Sequence, residues 1–370
     1  MKIIISGVNL IEGGPLKVLQ DSIAAFSKLE NIELICLVNN RKLFEIDENI
    51  NFIEFPWAKK NWLLRCFFEY IYCWFLSKKM RPDIWLAMHD MTPYLYCPAN
   101  IKQYVYCHNP SPAYDATFKD FRFSKKFFLF SKLYKFLYRI NIKSNAAVIC
   151  QQKWIGIFLE NLGASSVIVT KPNSINKGES YTQLSTNVDM GKDTVRIFYP
   201  ALPRTFKNFE LILDAIVVVE KAFTPLLSKK IEVIITIDAT ESKYAKWLCH
   251  KYSSLKTVKF VGRLDRKEVN SYYQSSDLVI FPSKLETWGL PIVEAKEFDK
   301  PIFLADLPYA HETLGAYDKA KFIDVNDPHA LAKLIVDFVN DDVVYDSISF
   351  QDDKGVLSDW DELVRRLLLH

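Results

Sequence analysis

The sequence predicts an α/β fold of two domains, each a parallel sheet with helices over both faces. Short β-branched runs alternate with helix-length segments along the 370 residues. A polar stretch from Asn176 to Asp193, poor in large apolar residues, divides them into two series. The length suits two domains, each able to bury its own core.

The first series runs Ile3–Ser6, Ile32–Val38, Asn51–Phe55, Asp83–Ala87, Tyr104–Cys107, Ala146–Cys150 and Val167–Thr170. The second runs Val195–Tyr199, Ile231–Ile237, Val258–Val261, Leu278–Phe281 and Ile302–Leu304. Such runs, joined by helix-length segments, argue for parallel strands with crossover connections. The expected division is a first Rossmann-like domain over 1–176, a linker at 177–193 and a second Rossmann-like domain over 194–350. A C-terminal helix at 351–370 could pack back on the first. A ligand would then sit in the cleft between the domains, beyond the carboxyl ends of the strands.

Composition removes several classes. Hydrophobic residues make up 49% and charged residues 25%, ordinary for a globular chain. A net charge of +3 gives no global attraction for nucleic acid. The seven cysteines are scattered and never spaced C-x-x-C, which suits small core residues in a reducing cytosol. The chain starts directly on a strand-like run, so no signal peptide is expected. The longest apolar run, Trp62 to Leu76, is broken by Arg65 and Glu69 and is short for a bilayer. No zinc-like His/Cys spacing occurs, so no metal is expected.

The residues that follow strands carry the chemistry. Gly13-Gly14-Pro15 precedes a helix expected over Leu16–Leu29. It lacks the dinucleotide fingerprint and is either a tight turn or a loop that admits a diphosphate. His108-Asn109-Pro110 follows another strand; its histidine is either structural or part of a site. Asp90 either contacts an acceptor hydroxyl or begins an Asx-type turn. Arg204 and Lys207 could neutralise a diphosphate or form a solvated basic loop. In Ser283-Lys-Leu-Glu-Thr-Trp-Gly-Leu-Pro-Ile-Val-Glu-Ala295, Glu286 falls in a loop and Glu294 in the first helical turn. Glu294 alone could be an ordinary N-terminal acid. The amides of Trp288, Gly289 and Leu290 would gather at the helix start and favour an oxygen-rich ligand.

Taken in order, Gly-Gly-Pro, His-Asn-Pro, Arg-x-x-Lys-Asn and Glu-x-x-Gly-Leu-Pro-x-x-Glu-Ala resemble the retaining GT-B glycosyltransferases of family 4, over residues 1 to about 340. The resemblance implies the GT-B fold, its two parallel sheets facing across the cleft, and a nucleotide-sugar donor. It implies that Glu294 binds the donor ribose and that Glu286 lies beside the donor sugar. Backbone at Trp288, Gly289 and Leu290 would hold sugar hydroxyls or phosphate. Arg204 and Lys207 would hold the diphosphate, Gly13 and Gly14 would face it, and His108 would contact the sugar. Gly262 and Arg263 of Val-Gly-Arg-Leu-Asp would seat the nucleobase. The chain departs from the family at Asp238-Ala-Thr240, where a glycine-rich turn is common.

The stretch Phe118–Lys143 mixes basic residues with aromatics around the single acid Asp120. It suits an anionic membrane surface, or a helix pair that packs its aromatics inward. Lys59-Lys60 and Lys78-Lys79, flanking an aromatic segment, add to the membrane case. These features suggest a saccharide acceptor, lipid-linked, met by a peripheral protein at the inner face of a bacterial plasma membrane; the family resemblance implies O-antigen or capsule assembly. A nucleotide-sugar epimerase of the same fold and a non-catalytic glycosyltransferase-like partner are the alternatives.

Overall fold

The computed structural model describes residues 1–45, 49–97, 100–172, 193–346 and 355–369. The linker expected at 177–193 lies outside them except for Asp193. The chain divides into two compact units. One comprises Met1–Asp115, Leu129–Gly178 and Asp353–His370; the other comprises Ala116–Phe128 and Glu179–Asp352.

The first unit holds β1 (Lys2–Ser6), β2 (Glu33–Val38), β3 (Ile50–Glu54), β4 (Ile84–Ala87), β5 (Lys102–Tyr106), β6 (Ala147–Cys150) and β7 (Val167–Thr170). The second holds β8 (Thr194–Tyr199), β9 (Lys230–Ile235), β10 (Val258–Phe260), β11 (Leu278–Phe281), β12 (Ile302–Ala305) and β13 (Ala320–Ile323). A last strand, β14 (Val356–Leu357), pairs in parallel with β7 and so extends the first sheet. The sheet orders are β14-β7-β6-β5-β4-β1-β2-β3 and β10-β9-β8-β11-β12-β13. The recorded strand pairings are all parallel. Each sheet grows outward from its first strand and then restarts on that strand's other side. The switch falls between β1 and β4 in one sheet and between β8 and β11 in the other. In open parallel sheets these are the places where loops part to admit a ligand.

The helices are α1 (Gly13–Ser27), α2 (Trp62–Phe67), α3 (Cys73–Met80), α4 (Phe118–Phe123), α5 (Lys125–Arg139), α6 (Lys153–Leu162) and α7 (Phe209–Val218). They continue with α8 (Lys243–Lys251), α9 (Arg266–Ser275), α10 (Leu290–Glu297), α11 (Pro308–Leu314), α12 (Pro328–Val339) and α13 (Trp360–Leu369). Strand alternation feeds two apolar layers in the first unit. Ile3 and Ile5 pack with Leu19 and Phe26 of α1 and with Trp360, Leu363 and Leu367 of α13. Ile4 faces the other way, toward Phe68, Leu76, Tyr134 and Leu159. The C-terminal helix thus contributes to the first unit's core, and Lys28 fastens it to α1 through Asp361 at 2.8 Å.

A π-helical turn, Phe68–Tyr72, joins α2 to α3. Arg65 and Glu69, which interrupt the apolar run in the sequence, are buried and paired at 3.0 Å. No helix among the described residues is long and apolar enough to cross a membrane. The division differs from the sequence reading at residues 116–128, which group with the second unit rather than the first.

The cause is the packing of α4. Asp120 is fully buried, Lys119 pairs with Glu210 at 2.8 Å, and Phe123 lies 5.2 Å from the rings of Tyr244 and Trp247. These residues of the basic aromatic stretch therefore serve packing. α5 has a second character: it buries Ser131, Tyr134 and Tyr138, while Leu129, Leu133 and Phe136 stay more than half exposed.

Candidate active site

In the second unit, the loops after β8 and β11 meet at the switch point. β8 runs into a single 3₁₀ turn, Thr205–Lys207, with Arg204 at its N-cap and Asn208 left-handed at its end. Asn208 tolerates that backbone region better than most residues and leads into α7. β11 runs into the loop that carries Glu286. The Lys207 ammonium donates to Glu286 Oε1, both side chains being largely buried. That ammonium also lies 5.4 Å above the ring of Phe281, the last residue of β11. Arg204 is exposed, without a recorded side-chain partner among the described residues.

Gly289 caps α10 with φ +82°, and a Cβ there would come within 3.2 Å of Ile292 Cδ1. Both facts favour glycine. Trp288 is half-buried and its carbonyl accepts from the Thr313 hydroxyl; Leu290 is exposed. Glu294 is buried, and its two oxygens are engaged by Arg266 and, at 2.8 Å, by the Tyr273 hydroxyl. Gly262 has φ +74°, and a Cβ would stand 3.0 Å from Asp238 Oδ2. The Asp238-Ala-Thr turn, where the chain departs from the family pattern, therefore lies directly against the expected base loop. Arg263 is exposed.

In the first unit, Gly13 and Gly14 are exposed and belong to the first turn of α1, which begins earlier than the sequence suggests. After β4, Asp90 adopts φ +69°. Its Oδ1 accepts from the backbone amides of His108 at 2.6 Å and Asn109 at 3.0 Å. Asp90 thus organises the loop after β5. Burial raises its carboxyl to about 6 despite those bonds. Burial brings His108 down to about 4, so its imidazole is neutral at physiological pH. His89 is fully buried beside it, 3.2 Å from Glu69, and burial keeps it well below its ordinary value. Burial raises Glu69 to about 7, with Arg65 opposing the rise.

The sequence reading missed Arg266 and Tyr273 behind Glu294, Asp120 behind Thr205, and the Arg65–Glu69–His89 cluster behind Asp90. Two signals were available. Arg65 and Glu69 stand i, i+4 inside an apolar run, and Thr117-Phe-Lys-Asp120 has the spacing of a capping box.

Residues 186–350 match the model of the family described as Glycosyl transferases group 1. No curated protein sequence matches the chain. Among solved structures, WaaG, a glycosyltransferase involved in lipopolysaccharide biosynthesis, is 15% identical with a TM-score of 0.61, covering 91% of this chain and 90% of its own. Sucrose-phosphate synthase from Thermosynechococcus elongatus is 14% identical with a TM-score of 0.61, covering 92% and 90%. HepE from Anabaena, in complex with UDP-glucose, is 14% identical with a TM-score of 0.56, covering 92% and 89%. The fold is accordingly GT-B, with two Rossmann-like units.

Proposed function

We propose that the protein is a retaining, family 4-like glycosyltransferase. It moves a hexosyl or deoxyhexosyl group from a nucleotide-sugar to a saccharide acceptor, lipid-linked, in bacterial O-antigen or capsule assembly. The observation that carries the reading is the Lys207–Glu286 pair at the β8/β11 switch point. It sets a cation and an acid where strand ends open. The family match over residues 186–350 supports the same reading.

In this account Arg204 and Lys207 receive the diphosphate, and their charges stabilise it as it leaves. Glu286 stands beside the donor sugar. Glu294, held by Arg266 and Tyr273, retains lone pairs for the ribose hydroxyls. Gly262 and Arg263 seat the base, and the amides of Trp288, Gly289 and Leu290 meet phosphate or sugar oxygens. His108 contacts the donor sugar, Gly13 and Gly14 face the diphosphate, and Asp90 is the acceptor candidate.

The acceptor oxygen bonds to the anomeric carbon on the face from which the diphosphate departs. The acceptor's proton passes to the leaving phosphate oxygen, so configuration is retained without an enzymic nucleophile. The two cations do the work of a metal in this scheme. A peripheral place on the cytoplasmic face of an anionic membrane completes the proposal. It is supported by exposed Leu63, Phe67, Ile71 and Phe75 on the α2–α3 segment and by exposed Lys59, Lys60, Lys78 and Lys79 at its ends.

The test is release of nucleoside diphosphate from UDP-, GDP- and dTDP-hexoses. One donor series should be hydrolysed slowly by the purified protein. No release from any of them, with or without saccharide acceptors, counts against the proposal.

A further inference from the structure

Asp120 is the only acid between Phe118 and Lys143 in the sequence. It is fully buried within the second unit. One carboxylate oxygen accepts from the Thr117 amide at 2.7 Å and the Thr117 hydroxyl at 2.9 Å, closing the cap of α4. Those bonds are what a helix start requires. The other oxygen does something different: it accepts from the hydroxyl of Thr205, 85 residues along the chain.

Thr205 opens the turn that presents Arg204 and Lys207, and that turn is tethered along its length. The Phe206 carbonyl accepts from the Lys284 amide at 2.7 Å, and the Phe206 ring lies 5.2 Å from Phe127. The Lys207 carbonyl accepts from the Tyr199 hydroxyl at 2.5 Å. Two of the partners, Asp120 and Phe127, come from residues 116–128, far from the turn in sequence.

We infer that Asp120 is a positioning residue for the diphosphate site, setting through Thr205 the turn that carries Arg204 and Lys207. The inference rests on the reading that these two cations hold the donor's diphosphate. Fixed charges stabilise a leaving group best when they need not reorganise, and a lone 3₁₀ turn has little order of its own. A valine at 205 would remove the tether, while Asp120 kept its bonds to Thr117. α4 would keep its other attachments, the Lys119–Glu210 pair and the packing of Phe123. The turn should loosen while the unit stays folded.

The experiment is calorimetric titration of the full chain with UDP, GDP, dTDP and inorganic pyrophosphate, alongside melting temperatures. Thr205→Val and Asp120→Ala should each weaken the best nucleoside diphosphate and pyrophosphate about tenfold. Thr205→Ser, which keeps the hydroxyl, should bind as the parent does. The double variant should bind little worse than Asp120→Ala alone, because both changes remove the same Asp120–Thr205 bond. Should Asp120→Ala fail to fold, Thr205→Val against Thr205→Ser decides the matter. Parent-like binding of both probes by folded Thr205→Val, whatever its melting temperature, overturns this inference and leaves the donor reading intact. If the parent chain binds none of the four probes, the donor reading itself falls and takes this inference with it.

Discussion

Lys207 and Glu286, 79 residues apart in sequence, are bonded through their side chains at the point where the second sheet reverses its strand order. Neither charge is solvated freely, so on the proposed reading a diphosphate at Lys207 would meet a cation already aimed and partly desolvated. The first prediction follows. Lys207→Ala should lower turnover on the order of 10²-fold, as removal of a preorganised charge does. Glu286→Gln should lower turnover more than donor affinity. EDTA should leave the parent's activity unchanged. Small, equal effects of both changes, or activity lost to EDTA and restored by magnesium or manganese, would refute the assignment.

Glu294 should prove structural as well as functional. Its oxygens satisfy Arg266 and the buried Tyr273 hydroxyl. Glu294→Ala leaves that hydroxyl without its acceptor and should cost roughly 1–3 kcal/mol, besides weakening donor binding. Glu294→Gln retains an acceptor and should lose less stability. Urea midpoints for the two variants check this; equal stability of alanine, glutamine and parent forms would contradict it.

The β-branched runs made both sheets legible, because strands covered on both faces are apolar throughout. β13 escaped notice because Ala320-Lys-Phe-Ile323 holds only one β-branched residue, and β14 because it is two residues long. The Glu286–Glu294 segment was legible as loop and helix, since Gly289 and Pro291 mark the helix start, but Glu294 is the fifth residue of α10 and lies beyond the first turn where it was expected. What supports it was not. Asp120 looked like a lone acid in a basic stretch, and its burial rests on the α4 cap with Thr117 and on its long-range partner Thr205. Phe118–Lys143 was open between a membrane face and inward packing; α4 packs inward, while α5 keeps an exposed apolar side. Local sequence does not encode which unit a short helix joins.

His108 offers a test by pH. Its imidazole titrates near 6.5 when unfolded and is brought to about 4 in the folded chain by burial. The unfolded state therefore binds a proton first, so stability present above about 6.5 is lost as pH falls toward 4. Chemical denaturation of His108→Gln should show a shallower loss of stability between pH 7 and pH 5 than the parent. Parallel losses in both would show that His108 ionises in the folded chain as it does in water.

The membrane proposal predicts salt-sensitive binding to vesicles rich in anionic lipid. Trp62 of α2 lies 6.4 Å from Tyr134 of α5, so the two helices with exposed apolar residues are neighbours. Changing Lys59, Lys60, Lys78 and Lys79 to glutamine should release the protein, each lysine contributing about 1 kcal/mol near such a surface. Leu63→Ser with Phe67→Ser should weaken binding even at low salt. No association of the parent chain with anionic vesicles at low salt would remove the membrane from the account.

The most direct measurement is thermal stabilisation of the parent chain and Lys207→Ala by UDP, GDP and dTDP. A ligand bound to the folded state alone raises its stability by mass action, by about 2.7 kcal/mol at a hundredfold excess over Kd. The account predicts that one nucleoside diphosphate raises the parent's melting temperature in a concentration-dependent way, and that Lys207→Ala loses most of the shift. No shift with any of the three, or an equal shift in Lys207→Ala, would contradict the claim that this turn receives a donor diphosphate.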